Sequence, residues 1–274
     1  MKIGFVGGGN MAQALIGGLI AKRSAATFVV IEPHDATRTA LRERFDAECL
    51  SVCAAPADEL TTCEALVIAV KPQQFKDALH GIAAYARERL VISIAAGIRT
   101  VDIARWLASD SSSAIVRAMP NTPALVGAGI TGLYATPTVS ATQRKLAQTL
   151  LGAVGETVWL ADEGLLDAVT AVSGSGPAYV FYFIEALEAA ARELGLSDEA
   201  SKKLALATFV GAAQLAAESG QPVAELRERV TSKGGTTHAA LMRMEESKVR
   251  DAIVRAIHAA ALRSAELGDE FGRG

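Results

Sequence analysis

The sequence predicts an α/β fold: a doubly wound, largely parallel sheet followed by an all-helical C-terminal domain. Three observations carry that prediction. A glycine-rich turn sits between a short apolar strand and a helix near the start of the chain, with an acidic residue about 20 positions beyond it. Near-continuous Val/Ile/Ala runs, such as Leu66-Val67-Ile68-Ala69-Val70, recur through the first half, as strands covered on both faces require. Strand-like runs then stop at about residue 160, and the remainder reads as helices. At 274 residues, a division into two domains is expected, at 1–161 and 162–274.

In chain order, residues 2–6 form a buried strand, and Gly7-Gly8-Gly9-Asn10-Met11-Ala12 fits G-x-G-x-x-A before a helical run to Lys22. Residues 28–31 form the second strand, which ends at Glu32. This βαβ unit has the pattern of a dinucleotide site of Rossmann type. Gly7 turns the chain, Gly9 admits a pyrophosphate to the backbone, and Ala12 lets helix and strand pack closely. Further strands are expected at 49–52, 65–70, 90–94, 114–117, 130–134 and 157–160. Ligands of such sheets bind beyond the carboxyl ends of the strands, where Val70-Lys71-Pro72-Gln73, Ala95-Ala96-Gly97 and Ala118-Met119-Pro120-Asn121-Thr122-Pro123 lie. Lys71 either meets cofactor or is solvated. The loop of Asn121 is either a nicotinamide wall or a rigid connector.

Beyond residue 160, Pro177 opens a helix after Ser173-Gly174-Ser175-Gly176, and residues 179–184 are apolar all round. A helix apolar on every side must be buried on every side, so these helices are expected to pack against a second copy. Residues 109–113 read as a surface loop and 268–274 as a frayed tail. Near the end stands Thr231-Ser232-Lys233-Gly234-Gly235-Thr236-Thr237. Glycine, hydroxyl and one cation before a helix make either a cap or an anion cradle, and both readings use the same free backbone donors.

Composition excludes several classes. The net charge of −3 argues against a general polyanion binder such as a nucleic-acid protein. Cys49, Cys53 and Cys63 form neither a CxxC pair nor an even set, which speaks against a disulfide framework or zinc ribbon and for a reducing cytoplasm. His34, His80 and His258 show no metal-ligand spacing, so no metal is expected. Residues 3–21 are uncharged, but six glycines with Asn10 and Gln13 make them a poor membrane span.

On Gly7 to Ala12 as quoted, Ala69-Val70-Lys71-Pro72-Gln73, Met119-Pro120-Asn121-Thr122-Pro123, Ser173-Gly174-Ser175-Gly176-Pro177-Ala178-Tyr179 and the 231–237 loop, the chain resembles the pyrroline-5-carboxylate reductases. The likeness spans nearly the whole length. It implies NAD(P)H-dependent reduction of a cyclic imine to L-proline, the last step of proline biosynthesis, by a homodimer that can assemble further. It also implies an active site between cofactor and the 231–237 loop. The cofactor is expected on Val6, Gly7, Gly8, Gly9, Asn10, Met11, Glu32, Ala69, Val70, Lys71, Pro72, Ala96 and Asn121. The substrate is expected on Ser232, Lys233, Gly234, Gly235, Thr236 and Thr237. The resemblance places the substrate carboxylate on the backbone N–H groups of Gly234-Gly235-Thr236 and the Thr237 hydroxyl near the ring nitrogen. His238, one residue on, points about 100° away on a helix and reads as structural or solvated.

The chain departs from the family at Glu32-Pro33-His34, where many members carry Asn-Arg or Ser-based pairs suited to a 2′-phosphate. A carboxylate there accepts hydrogen bonds from a ribose diol and repels phosphate, so NADH is favoured over NADPH, with Arg38 as the group able to reverse that. Two rivals remain. A β-hydroxyacid dehydrogenase would need a catalytic lysine on a helix of the second domain, yet none lies between Ser173 and Ala200. A non-catalytic dinucleotide-binding module would not need the second glycine loop.

Overall fold

A computed structural model describes residues 1–22, 24–107 and 113–273. Eight strands, β1 (Lys2–Val6), β2 (Thr27–Ile31), β3 (Leu50–Cys53), β4 (Ala65–Ile68), β5 (Leu90–Ser93), β6 (Ile115–Met119), β7 (Gly129–Ala135) and β8 (Gly155–Trp159), form one sheet in the order β3-β2-β1-β4-β5-β6-β7-β8. Helices α1 (Asn10–Ala21), α2 (Asp35–Arg44), α3 (Pro72–Ala86), α4 (Thr100–Trp106) and α5 (Ala141–Leu151) connect them. The strand order reverses between β1 and β4, which is where a doubly wound sheet opens its ligand crevice.

The apolar runs form strands because both faces of the sheet are covered. Phe28 and Val30 enter one core cluster with Leu15, Ile16 and Leu19 of α1, while Val29 and Ile31 enter the other with Phe75, Leu79 and Ile82 of α3. Successive residues point to opposite faces, so an uninterrupted apolar run serves two cores at once.

Two features differ from the sequence reading. The strand expected at 65–70 ends at Ile68, so Ala69 and Val70 belong to the turn that leads to α3. All pairings are parallel except β6 with β7. Residues 120–128 hold only the short 3₁₀ turn Thr122–Val126, too little for a crossover, so the chain returns antiparallel. Of the loop expected at 109–113, residues 109–112 lie outside the described residues.

After β8 come α6 (Leu165–Val169), a π turn (Thr170–Gly174), α7 (Gly176–Glu193), α8 (Asp198–Ser219), α9 (Val223–Arg229), α10 (Thr236–Glu246) and α11 (Val249–Gly272). The chain divides into two compact units, Met1–Ser175 with Ala260–Gly274, and Gly176–Ala259. This division differs from the one at 161/162. The last turns of α11 belong to the first unit, tied there by Ser264 Oγ donating to Asp167 Oδ1 at 2.6 Å and by an Arg99–Asp269 ion pair at 2.6 Å. The expectation of a frayed tail at 268–274 is therefore corrected: α11 continues to Gly272, with Phe271 packed against the core cluster of α3 and α4. In the second unit α7, α9 and α10 bury no residue and α8 buries only Ser201 and Ala205. Among the described residues no helix is long and apolar enough to cross a membrane.

Candidate functional site

The first unit carries a shelf at the switch point. Gly7 has φ +97°, a conformation that L side chains rarely adopt, and a Cβ there would stand 2.7 Å from the Ala69 carbonyl oxygen. Gly8 donates its N–H to Glu32 Oε2 at 2.9 Å and is walled by Leu41. At Gly9 the situation reverses, because a Cβ built there meets nothing within 4 Å. The protein leaves open the space that a ligand approaching the backbone would fill.

Gly9 is the N-cap of α1, which has neither a side-chain cap nor an acidic residue in its first turn. The N–H groups of Gly9, Asn10 and Met11 find no acceptor among the described residues. Free donors and the positive end of the helix dipole together favour a phosphate. The turn is braced from behind: Gln13 Nε2 donates to Gly8 O at 2.9 Å, and Arg44 Nη1 donates to Gln13 Oε1 at 3.0 Å. Neither Gln13 nor Arg44 was expected at the site from sequence, since nothing local marks a side chain that bonds back five residues.

A cleft of about 560 Å³ runs along this shelf. It brings together Val6, Gly7, Gly9, Glu32, Ala69, Val70 and Lys71. Gly8, Asn10, Met11, Pro72, Ala96 and Asn121 are not among its walls. Pro72 instead opens α3 at its first turn. Asn121 is nearly buried, and its Oδ1 accepts the Ile130 N–H at 2.9 Å, which ties the loop to β7. Lys71 is exposed, and its ammonium has no partner among the described residues. Residues that the sequence reading missed extend the cleft: Ala54, Ala55 and Pro56 after β3, and Gln74, Asp77 and Gly81 along α3. The rule that ligands sit beyond strand carboxyl ends, applied to β3, could have found the first three.

Glu32 is 7% exposed, and its carboxylate is held by the chain itself. Burial pushes its pKa up, but the N–H groups of Gly8 and His34 and the His34 ring outweigh that and hold it below the usual carboxylate range. The His34 contacts are both to Oε1, 2.9 Å from the backbone nitrogen and 2.8 Å from Nδ1. Arg38 folds back: its guanidinium donates to Glu32 O at 3.0 Å and Pro33 O at 2.6 Å, and pairs with Asp35 at 2.9 Å. It closes the end of β2 rather than projecting into the cleft.

The second unit carries the other glycine loop. Thr231 Oγ1 donates to Arg227 O at 2.6 Å, and Gly234 sits at φ +75° so that the Gly235 N–H reaches Ser232 O at 3.0 Å. Gly235 is the N-cap of α10, again without a side-chain cap or a first-turn acid. The N–H groups of Thr236, Thr237 and His238 have no acceptor among the described residues, and Ser232, Lys233, Gly234, Thr236 and Thr237 are exposed. His238 instead lines a separate cavity of about 200 Å³ with Arg227, Glu228 and Met242. Each glycine loop thus ends in a helix start without a side-chain cap, which leaves backbone donors free.

The family model described as pyrroline-5-carboxylate reductase dimerisation matches residues 163–267, and one described as NADP oxidoreductase coenzyme F420-dependent matches residues 2–97. The chain is 43% identical to the pyrroline-5-carboxylate reductase of Pseudomonas aeruginosa, over 99% of this chain and 98% of the relative. It is 42% identical to that of Synechocystis, over 98% of each. The solved pyrroline-5-carboxylate reductase of Coxiella burnetii superposes with a TM-score of 0.89 at 39% identity, covering 97% of both chains. The pyrroline carboxylate reductase of Plasmodium falciparum, solved with NADP bound, superposes with a TM-score of 0.83 at 31% identity, covering 98% of both.

Proposed function

Because the chain belongs to the pyrroline-5-carboxylate reductase family, we propose that it reduces 1-pyrroline-5-carboxylate to L-proline through the two glycine loops described above. It is an NAD(P)H-dependent oxidoreductase of proline biosynthesis acting on a C=N bond. The observation that supports the reading most is the second uncapped helix start at Gly235, which a chain that only bound a dinucleotide would not need. Residues 1–161 serve as the cofactor half and residues 162–274 as the substrate and assembly half, except that the last turns of α11 pack with the cofactor half.

The residues of the shelf fit a dinucleotide. The open face of Gly9 and the free N–H groups of Gly9, Asn10 and Met11 receive its pyrophosphate, and Lys71 adds a cation at the mouth of the cleft. Bound reduced nicotinamide supplies the hydride that reaches the imine carbon. Glu32 takes the ribose diol of the adenosine. Its carboxylate is ionised and Arg38 is committed elsewhere, so a 2′-phosphate would meet an anion with no guanidinium to offset it. This supports NADH as the preferred donor.

The substrate offers one carboxylate and one ring nitrogen. The backbone N–H groups of Gly234 and Thr236 hold the carboxylate, with Ser232 and Lys233 flanking it; the Gly235 N–H, expected to share in this, is committed to Ser232 O. Thr237 stands at the nitrogen. A threonine hydroxyl is too weak an acid to protonate an imine readily, so the substrate enters as the iminium and Thr237 Oγ accepts the hydrogen bond from its N–H. Positioning therefore supplies most of the acceleration. The enzyme works as a homodimer in the cytoplasm. Three unpaired thiols support the compartment, and the apolar side chains that α7 and α8 leave exposed support the second copy.

Single-turnover reduction by Thr237→Ala tests this mechanism. We expect roughly a tenfold loss for a lost hydrogen bond to the iminium, against 10²-fold or more if Thr237 were a general acid. An unchanged rate and substrate affinity would remove Thr237 from the site.

A further inference from the structure

The last turns of α11 make a set of contacts that the reaction described so far does not use, and they fall on the turn after β5 and on α4, which follows it. Gly97 has φ +74°, and a Cβ placed on it would lie 3.1 Å from the edge of the Phe271 ring. Next to it, Arg99 pairs with Asp269 at 2.6 Å and donates to Ala265 O at 3.1 Å, its guanidinium lying against Gly268. Arg105 donates to Gly272 O at 2.6 Å and pairs with Asp102 at 3.0 Å, and Gly272 lies against the same Asp102 carboxylate. Glycine at 268 and 272 lets the helix come this close to Arg99 and Asp102, since a Cβ at either site would stand within 3.0 Å of a side chain.

The turn so gripped is Ala95-Ala96-Gly97, at the carboxyl end of β5. Its other side is fixed to the cofactor strands, where the Ile94 N–H reaches Ile68 O, the last residue of β4 before Ala69 and Val70 of the cleft wall. Beyond it, Thr100 binds Glu163 through its N–H at 2.7 Å and its hydroxyl at 2.6 Å. The turn is thus clamped between the cofactor shelf and the end of the chain.

We propose that Phe271, supported by the Arg99–Asp269 pair, positions the Ala95-Ala96-Gly97 turn, which follows β5 one strand beyond the cleft walls Ala69 and Val70 that follow β4, at the nicotinamide end of the cofactor. The proposal rests on the dinucleotide reading of the shelf. Phe271 touches no reacting atom in this assignment; it acts through Gly97, against which its ring packs. Removing the ring frees the turn at the nicotinamide end and leaves the Gly9 end of the cleft intact.

Calorimetric titration of the full-length enzyme with NADH and with ADP-ribose, which lacks the nicotinamide, separates the possibilities. Phe271→Ala is expected to bind ADP-ribose within about twofold of wild type, to bind NADH about tenfold more weakly, and to lose about tenfold in kcat. Phe271→Leu, which refills the space, is expected to recover most of both losses. Should Phe271→Ala fail to fold, Asp269→Asn carries the same comparison, with a smaller loss confined to NADH. Wild-type affinity for NADH in the variant that folds, or equal weakening of both ligands, overturns the positioning role. Failure of the wild-type protein to bind ADP-ribose overturns the dinucleotide reading instead, and the role of Phe271 with it.

Discussion

At the scale of single residues, Glu32 shows what sequence could and could not reveal. Its place about 20 residues beyond the glycine turn follows from the βαβ spacing, and the structure puts it in the cleft. That its carboxylate is held by the Gly8 N–H, and that Arg38 folds onto the end of β2, depends on loop conformation that no local pattern encodes. The hydrogen bonds carry a pH signature. Because the folded-state pKa is lowered, the stability that Glu32 contributes is present above the ordinary carboxylate pKa and lost as pH falls through the folded value. Glu32→Gln is expected to be destabilised by about 1–3 kcal/mol at neutral pH, since Gly8 and His34 lose a charged acceptor. Thermal unfolding across pH checks this: the gap between wild type and variant should narrow as pH falls below the usual carboxylate range, and a gap that stays constant there would contradict it.

At the scale of elements, the two glycines that flank Gly8 do different jobs and separate fold from function. Gly7→Ala forces a side chain into φ +97° against the Ala69 carbonyl, so a stability loss of about 1–3 kcal/mol is expected in urea unfolding. Gly9→Ala places its methyl group in open space, so stability should stay within about 0.5 kcal/mol of wild type. Its cofactor affinity should nonetheless fall by roughly tenfold or more, because the methyl group would occupy the space that the proposed function gives to the pyrophosphate. Equal cofactor affinity in Gly9→Ala would mean that the shelf is not the binding surface. Most strands were legible because each apolar run had to serve two core faces. The antiparallel direction of β7 was not, because pairing direction follows from the length of a connection and from tertiary context. The docked end of α11 was missed for a related reason: its charged and glycine residues read as a tail, and only Arg99, Arg105 and Gly97 far upstream give them partners.

At the scale of the whole molecule, the helices after Ser175 define what a single chain lacks. Val180, Phe181 and Tyr182 on α7, with Leu204, Leu206 and Val210 on α8, stay between 43% and 71% exposed in one chain. A set of large apolar side chains of this kind marks an interface. The all-round apolarity of residues 179–184 made that readable from sequence. The return of residues 260–274 to the first unit was not readable, because helical periodicity does not say what a helix packs on. Phe181→Asp places a charge in the surface assigned to the second copy, and sedimentation velocity is expected to show a shift toward monomer. A sedimentation coefficient identical to wild type would remove that side chain from the interface. The chemistry is tested most directly by following the absorbance of reduced nicotinamide while 1-pyrroline-5-carboxylate is added to the purified protein, first with NADH and then with NADPH. The expected result is loss of the absorbance matched by formation of L-proline, with the higher kcat/KM for NADH. No oxidation of either cofactor would contradict the assigned reaction, and a higher kcat/KM for NADPH would contradict the role given to Glu32.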